Sequence, residues 1–237
     1  MPSRETPKRD TWEKVIEGAF RLFDDLEDKG FGAPPFSLGG GTVLMLQFQH
    51  RLSKDIDFFG YDAQWLSLLS PRLNEFAAAM ATDYTEQANS IKIVMPHGDI
   101  DFIVSADVVP DLRRQYRTIH GRKIQVDPTA EILAKKLYYR ASDFKARDVY
   151  DMSAAIDLDP LSAHIAVFAS KTKSDLLIRR LDELARIDEK ELTEGIVPFD
   201  DQLRHSAKMI EKVNHFITSK RDVSTGKSTK GNPGNER

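Results

Sequence analysis

Between Phe36 and Phe59 the chain reads FSLGGGTVLMLQFQHRLSKDIDFF, which sets Gly39, Gly40, Gly41 and Thr42 ahead of two aspartates, Asp55 and Asp57. These residue types suit phosphate and metal chemistry. Glycines allow positive φ and close approach of backbone amides to a ligand, and a helix starting there aims its free N–H groups at the same spot. That makes an anion seat. Side chains alternate along a strand, so Asp55 and Asp57 project from one face while Ile56 and Phe58 enter the core. Two carboxylates about 4 Å apart repel by about 4 kcal/mol at an effective dielectric of about 20, so a fold holding both ionised needs a cation between them. A divalent ion with hard oxygen ligands, Mg2+ or Mn2+, meets that need. Glycine amides beside paired carboxylates, with Arg51 and Ser53 just before them, describe a nucleoside triphosphate site.

The elements that position these residues follow from the same stretch: a short apolar strand, a glycine turn, a helix, and a second strand carrying Asp57. Before it, Asp10 and Glu13 have capping-box spacing ahead of an apolar repeat from Trp12 to Leu26, which predicts a helix ending near Gly30. After it, Trp65 to Met80 has helical periodicity with Leu66, Leu69, Leu73, Phe76 and Ala77 on one face. Tyr84 to Ala88, Ser90 to Met95 and Asp99 to Val104 read as strands, the last two joined in a hairpin around Pro96, His97 and Gly98. Asp127 and Pro128 suit an N-cap and a first helical residue, opening a helix to about Ala141, and Arg147 to Met152 opens another. Leu161 to Ser170, Ser174 to Ile187 and Asp201 to Ser219 predict further helices.

The 237 residues carry a net charge of -3, so any nucleic-acid surface must be local. One basic stretch runs from Arg113 to Arg147 and suits a polyanionic substrate; Tyr116, Tyr138 and Tyr139 within it are candidates for base stacking or helix packing. There is no cysteine, which excludes disulfides and thiolate metal sites, and the six histidines lack ligand spacing. The N-terminal MPSRETPKRD has no signal-peptide core and no stretch could span a bilayer, so the expected location is the cytoplasm.

The sequence GGGT, a gap, then RLSKDIDFF resembles the first motif of the polymerase-β-like nucleotidyltransferases. More narrowly it resembles the AbiEii and MenT nucleotidyltransferase toxins, with Arg51, Ser53, Asp55, Ile56, Asp57 and Phe58 in register. The later stretch EILAKKLYYRASDFKARDVYDM is similar to further motifs of those toxins. The resemblance implies an α+β fold, a small mixed sheet with flanking helices followed by a helical C-terminal region. The expected division of the chain is a nucleotidyltransferase core over 1–127, a helical region over 128–219 and, from its polar Gly-, Ser- and Lys-rich composition, a disordered tail over 220–237.

It also implies a third carboxylate from a strand beside the first pair, Asp101 or in its place Asp99, so that Asp55, Asp57 and Asp101 hold the metal and act in catalysis. Lys136, with Lys135 as the adjacent alternative, matches the family lysine, and Asp148 matches an aspartate that either holds that lysine or assists deprotonation of the attacking hydroxyl. Gly40, Gly41, Thr42, Arg51, Ser53 and Lys136 would bind the nucleotide. The implied reaction transfers a nucleoside monophosphate from a triphosphate to an acceptor hydroxyl at the 3′ end of tRNA. The protein would be the toxin of a toxin–antitoxin or phage-defence system, with a cognate antitoxin as a further partner. Competing readings are transfer to a protein or a small molecule, or a non-catalytic nucleotide- or partner-binding module.

Overall fold

The computed structural model describes residues 11–199 and 206–224. Helix α1 (Thr11–Asp28) carries its apolar residues at helical spacing and buries Val15, Ile16, Ala19, Phe20, Leu22, Phe23 and Leu26 along one stripe. Asp10, the expected cap, lies outside the described residues. The stripe packs on a mixed sheet of seven strands: β1 (Ser37–Gly39), β2 (Ile56–Gly60), β3 (Asp83–Gln87), β4 (Ser90–Met95), β5 (Gly98–Val104), β6 (Gln115–Ile119) and β7 (Arg122–Val126), in the order β3-β4-β5-β2-β1-β7-β6. The pairs β2–β5 and β1–β7 are parallel and the other neighbours antiparallel.

One register decides which residues are core and which are chemistry. Strands β2 and β5 pair Phe58 with Phe102 and Asp57 with Asp101. The two rings stack at 5.3 Å with 12° between their planes, and both pack against Phe23 of α1. Alternation then sends Asp57 and Asp101 to the opposite face. A slip of either strand by one residue would bury its own carboxylate and expose its own ring, so the aromatic cluster and the acidic row specify the same pairing.

The helices that follow are α2 (Gly40–Phe48), α3 (Gln64–Leu69), α4 (Glu75–Met80), α5 (Thr129–Tyr139), α6 (Ala146–Leu158), α7 (Pro160–Ala169), α8 (Ser174–Leu184), α9 (Glu189–Leu192) and α10 (Ser206–Ser224). The C-terminal helices build their own layer, with α5 on α7, and α6 and α8 on α10. The α+β core and helical C-terminal region are as expected from the sequence. Helix α10 reaches Ser224, inside the segment expected to be a tail; residues 225–237 lie outside the described residues, as do 200–205, where the last helix was expected to begin. No helix among the described residues is long and apolar enough to cross a membrane.

Three local expectations need correction. The single helix predicted over Trp65 to Met80 is two, α3 and α4, because Pro71 drives Ser70 to extended backbone and Asn74 starts the second helix by accepting from the Ala77 N–H. Leu73, expected on the buried stripe, is exposed. The basic stretch contains a hairpin, β6–β7, turning at His120 and Gly121, both at positive φ. Asp127 does not cap α5; its carboxylate is taken by Ser37, Arg114 and Lys135.

Candidate active site

The glycine turn and the acidic strand meet in contact. Gly40 opens α2 at φ +68, and a Cβ placed there would lie 1.8 Å from Oδ2 of Asp57, so only glycine fits. A Cβ on Gly41 would lie 2.9 Å from Nη2 of Arg51 and 3.0 Å from Oγ of Ser53. Thr42 is fully buried, and its hydroxyl donates to the Asp55 carbonyl at 2.6 Å. That bond ties the start of α2 to the entry of β2. The Thr42 side chain, one of the expected nucleotide contacts, is thereby committed to positioning the turn.

Asp55, at the mouth of β2, accepts from the Asp99 N–H at 3.2 Å, and its pKa is raised by burial first and by the Asp99 and Asp57 charges, against the pull of that N–H. Asp101 carries its neighbour's ammonium: Lys92, its register partner on β4, donates to Asp101 at 2.6 Å and to Asp99 at 3.2 Å. Burial still dominates. It pushes the Asp101 carboxyl up to about 6, helped by the Asp57 and Asp55 charges and opposed by Lys92. Asp101 lines the cleft and Asp99 does not.

A cationic knot stands beside the row. Arg51 spends Nε and Nη2 on the two oxygens of Asp151, both at 2.8 Å, and Nη1 on the Leu52 carbonyl at 3.1 Å. His50 reaches the same carboxylate through Nε2 at 2.7 Å. Lys136 lies 2.6 Å from Asp148 and 3.0 Å from Asp151. Asp148 also accepts from the Lys145 N–H at 3.1 Å and from Arg140 at 3.4 Å. Burial would raise both aspartates, but Lys136 and Arg140 hold Asp148 below the usual carboxylate range, and Arg51, Lys136 and His50 hold Asp151 well below it. Asp148 has no exposed surface and does not line the cleft. Of the two roles open to it, the geometry supports holding the lysine. Lys135 lines the same cleft but is paired to Asp127 at 2.8 Å and lies 4.1 Å from the centre of the Phe59 ring.

Gly40, Gly41, Arg51, Ser53, Asp55, Asp57, Asp101, Lys92, Lys135 and Lys136 all line one cleft of about 1030 Å³. The C-terminal region closes one wall. Residues Glu194 to Val197 line the cleft, the Leu52 N–H donates to the Val197 carbonyl at 2.7 Å, and the Phe199 N–H donates to the His50 carbonyl at 3.2 Å.

The family model described as nucleotidyl transferase AbiEii toxin, type IV TA system, matches residues 21–217. The chain belongs to that family. As an AbiEii-family member it is a nucleotidyltransferase. Its fold is similar to the solution structure of the antibiotic-resistance factor ANT(2'')-Ia, with a TM-score of 0.50 and 14% identity over 72% of this chain and 98% of that one. It is also similar to MenT4, a nucleotidyltransferase toxin from Mycobacterium tuberculosis H37Rv, with a TM-score of 0.45 and 15% identity over 86% of this chain and 82% of that one. No curated protein sequence matches it.

AbiEii-family chemistry implies a divalent metal, which can be tested against the residues present. Among the described residues, no three acidic or histidine side chains are gathered closely enough to hold an ion as they stand. The expected convergence of Asp55, Asp57 and Asp101 is relaxed because Asp101 turns to Lys92 and Asp55 to the Asp99 amide. Their chemistry nevertheless fits a hard cation: three carboxylates on one cleft, with the Asp101 carboxyl pushed up partly by the other two, a conflict that a bound cation relieves.

Two participants carried no site role in the sequence reading. Asp151 is the second aspartate of the RDVYD stretch that opens α6, three residues after Asp148 on the same helix face. Lys92 had no motif to mark it; only strand register reveals it. The basic stretch is also less of a patch than its composition suggested, since Arg114 pairs with Asp107 and Asp127, Arg122 with Asp24 and Glu27, and Lys135 with Asp127. Lys54, Lys145, Arg147 and the exposed Tyr139 remain around the cleft.

Proposed function

We propose that this AbiEii-family protein transfers a nucleoside monophosphate from a nucleoside triphosphate to the hydroxyl at the 3′ end of tRNA, in the cytoplasm, as the toxin half of a toxin–antitoxin pair. The observation that carries the reading is the single cleft in which a glycine turn, a carboxylate row and a preorganised lysine face one another. The N–H groups at the start of α2 and the Ser53 hydroxyl offer donors for phosphate oxygens. Arg51, with most of its donors spent on Asp151 and Leu52, sits under Gly41 and contributes fixed positive charge below that seat. Lys136 donates to Asp148 at 2.6 Å and lies 3.0 Å from Asp151, and an ammonium with three N–H donors keeps capacity for a phosphate oxygen.

Asp55, Asp57 and Asp101 would hold Mg2+ or Mn2+, which supplies Lewis-acid stabilisation of the transferring phosphate when bound. In the transfer the acceptor oxygen bonds to the α-phosphorus while the bond to pyrophosphate breaks, and the acceptor proton must leave. Asp101 lines the cleft beside its register partner Asp57, and a carboxylate oxygen of Asp101 left free by the metal would take that proton. Exposed Lys54, Lys145 and Arg147 at the cleft favour a polyanionic acceptor over a cationic small molecule.

The test is incubation of the purified protein and Mg2+ with each labelled nucleoside triphosphate in turn, with and without total cellular RNA. Label in a tRNA-sized band, absent with Asp57→Ala, is the expected result and names the nucleotide. Label on protein moves the acceptor assignment to a protein substrate, and no transfer with any triphosphate removes the RNA-transferase reading.

A further inference from the structure

Strand register puts a lysine in the acidic row. Lys92 on β4 is the partner of Asp101 on β5, and Asp101 is the partner of Asp57 on β2, so the three side chains stand side by side on one face of the sheet. The Lys92 ammonium lies 2.6 Å from Oδ2 of Asp101 and 3.2 Å from Oδ2 of Asp99. Its stem lines the cleft and is 39% exposed, so the side chain has room to move once its partner is taken. A strand that needed only to satisfy Asp101 could do so with a neutral donor; a full positive charge at this place opposes any cation that binds the same oxygen.

We propose that Lys92 makes the carboxylate row discriminate against a free divalent ion and in favour of one that arrives with its triphosphate. The inference rests on the nucleotidyltransferase reading of this cleft and adds to it an order of loading. A free dication reaching Asp101 must displace the ammonium and then sit beside it, with no new partner for the lysine. A triphosphate entering with the ion brings negative oxygens of its own into the cleft, and the displaced ammonium pairs with one of them. The same displacement is unfavourable in the first case and offset in the second. Lys92 is thus a positioning and selectivity residue: it suppresses idle occupation of the site by free metal and holds the triphosphate once the site is loaded.

The experiment titrates Mn2+ into the full-length protein without nucleotide, read by electron paramagnetic resonance of the free ion. It then titrates non-hydrolysable analogues of the four nucleoside triphosphates at saturating Mg2+, read by calorimetry. Lys92→Met keeps the stem and removes the charge; Lys92→Arg keeps the charge. The expected result is that Lys92→Met binds free Mn2+ roughly tenfold more tightly and the preferred analogue about two- to fivefold more weakly, while Lys92→Arg follows the wild type in both. A lysine that merely ties β4 to β5 would leave Mn2+ affinity unmoved, and that outcome, or weaker Mn2+ binding in Lys92→Met, overturns the proposal. Asp57→Ala separates the two levels. Loss of Mn2+ binding there with no gain in Lys92→Met sinks the lysine's role alone, whereas unchanged Mn2+ binding in Asp57→Ala removes the metal site and this inference with it.

Discussion

Two groups of aspartates flank the same cleft, and their surroundings pull them in opposite directions. Asp148 and Asp151 on α6 are fully buried and held below the ordinary carboxylate range by Lys136, Arg51, Arg140 and His50. Asp55 and Asp101 are pushed above it, by burial first and by neighbouring carboxylates (Asp99 and Asp57 for Asp55, Asp57 and Asp55 for Asp101), with Lys92 as a partial counterweight at Asp101. A buried carboxylate persists as a charge only if it is paired, so the knot on α6 is complete without any ligand. The row on the sheet is not. Its residues keep an unfavourable charge balance where the chain could have placed apolar side chains, and such imbalance in a cleft marks the place where something else binds.

The comparison predicts that removing a charge should have opposite consequences on the two sides. Asp57→Ala should lower transfer by roughly 10²–10³-fold, since a lost electrostatic contact at the reacting centre costs that order, while leaving the melting temperature unchanged or raised because a repulsion is relieved. Nucleotide transfer and thermal melting on one preparation check both halves. A variant that melts early would place Asp57 with the structural carboxylates and erase the contrast.

The second change acts on the knot. Asp151→Asn strips the shared partner from Arg51, Lys136 and His50, all of which are buried. Breaking a buried pair by removing one partner costs about 3–5 kcal/mol, so urea unfolding should show a loss of that size. Transfer should fall as well, because Lys136 and Arg51 lose the group that aims them. A loss below about 1 kcal/mol would mean that the knot is a surface-like pairing and that the division between the two regions is one of position only.

How much of this was legible in the chain depends on the range of the interactions. The strand, glycine turn, helix and acidic strand from Phe36 to Phe59 are set by local residue types, and the hydrophobic alternation around Asp101 marks its strand as clearly. Lys136 and Asp148 could be paired because a helix start and a helix end bring them close within 12 positions. The rest depended on register and long-range pairing. Lys92 reaches Asp101 through a hairpin alignment that alternation alone leaves free to slip by two, and Asp151 meets Arg51 across 100 positions. Asp127 had every local mark of a helix cap yet serves Arg114, Ser37 and Lys135, because three donors outweigh one backbone N–H. The hairpin β6–β7 was obscured by its charge: β6 is an edge strand with exposed side chains, so it lacks the buried alternation by which strands are found.

The smallest expected effect sharpens the contrast most, because it turns the two directions of pKa shift into two slopes of stability against pH. For Asp101 the folded-state pKa is about 6 and the ordinary value 3.8, so between those limits the native protein keeps a proton that the unfolded chain has released. Stability then falls as pH rises through that window, and the Asp101 share is about 1–3 kcal/mol. Asp148 and Asp151 have the opposite sign: their folded values are depressed, so their contribution is present above pH 3.8 and is lost as pH falls below it. Measured in chelator, the stability of Asp101→Asn relative to wild type should climb between about pH 4 and pH 6 and level off above it. The Lys92 pair is already contained in the folded-state value, which it lowers, so it leaves the sign of the climb unchanged. Millimolar Mg2+ should flatten or reverse the wild-type slope and leave that of Asp101→Asn in place, since an ion held by the ionised row rewards the charge that the empty row resists. A wild-type slope unaltered by both the substitution and the ion would show that Asp101 titrates like an ordinary surface carboxylate, and the two sets of aspartates would then differ in burial without differing in kind.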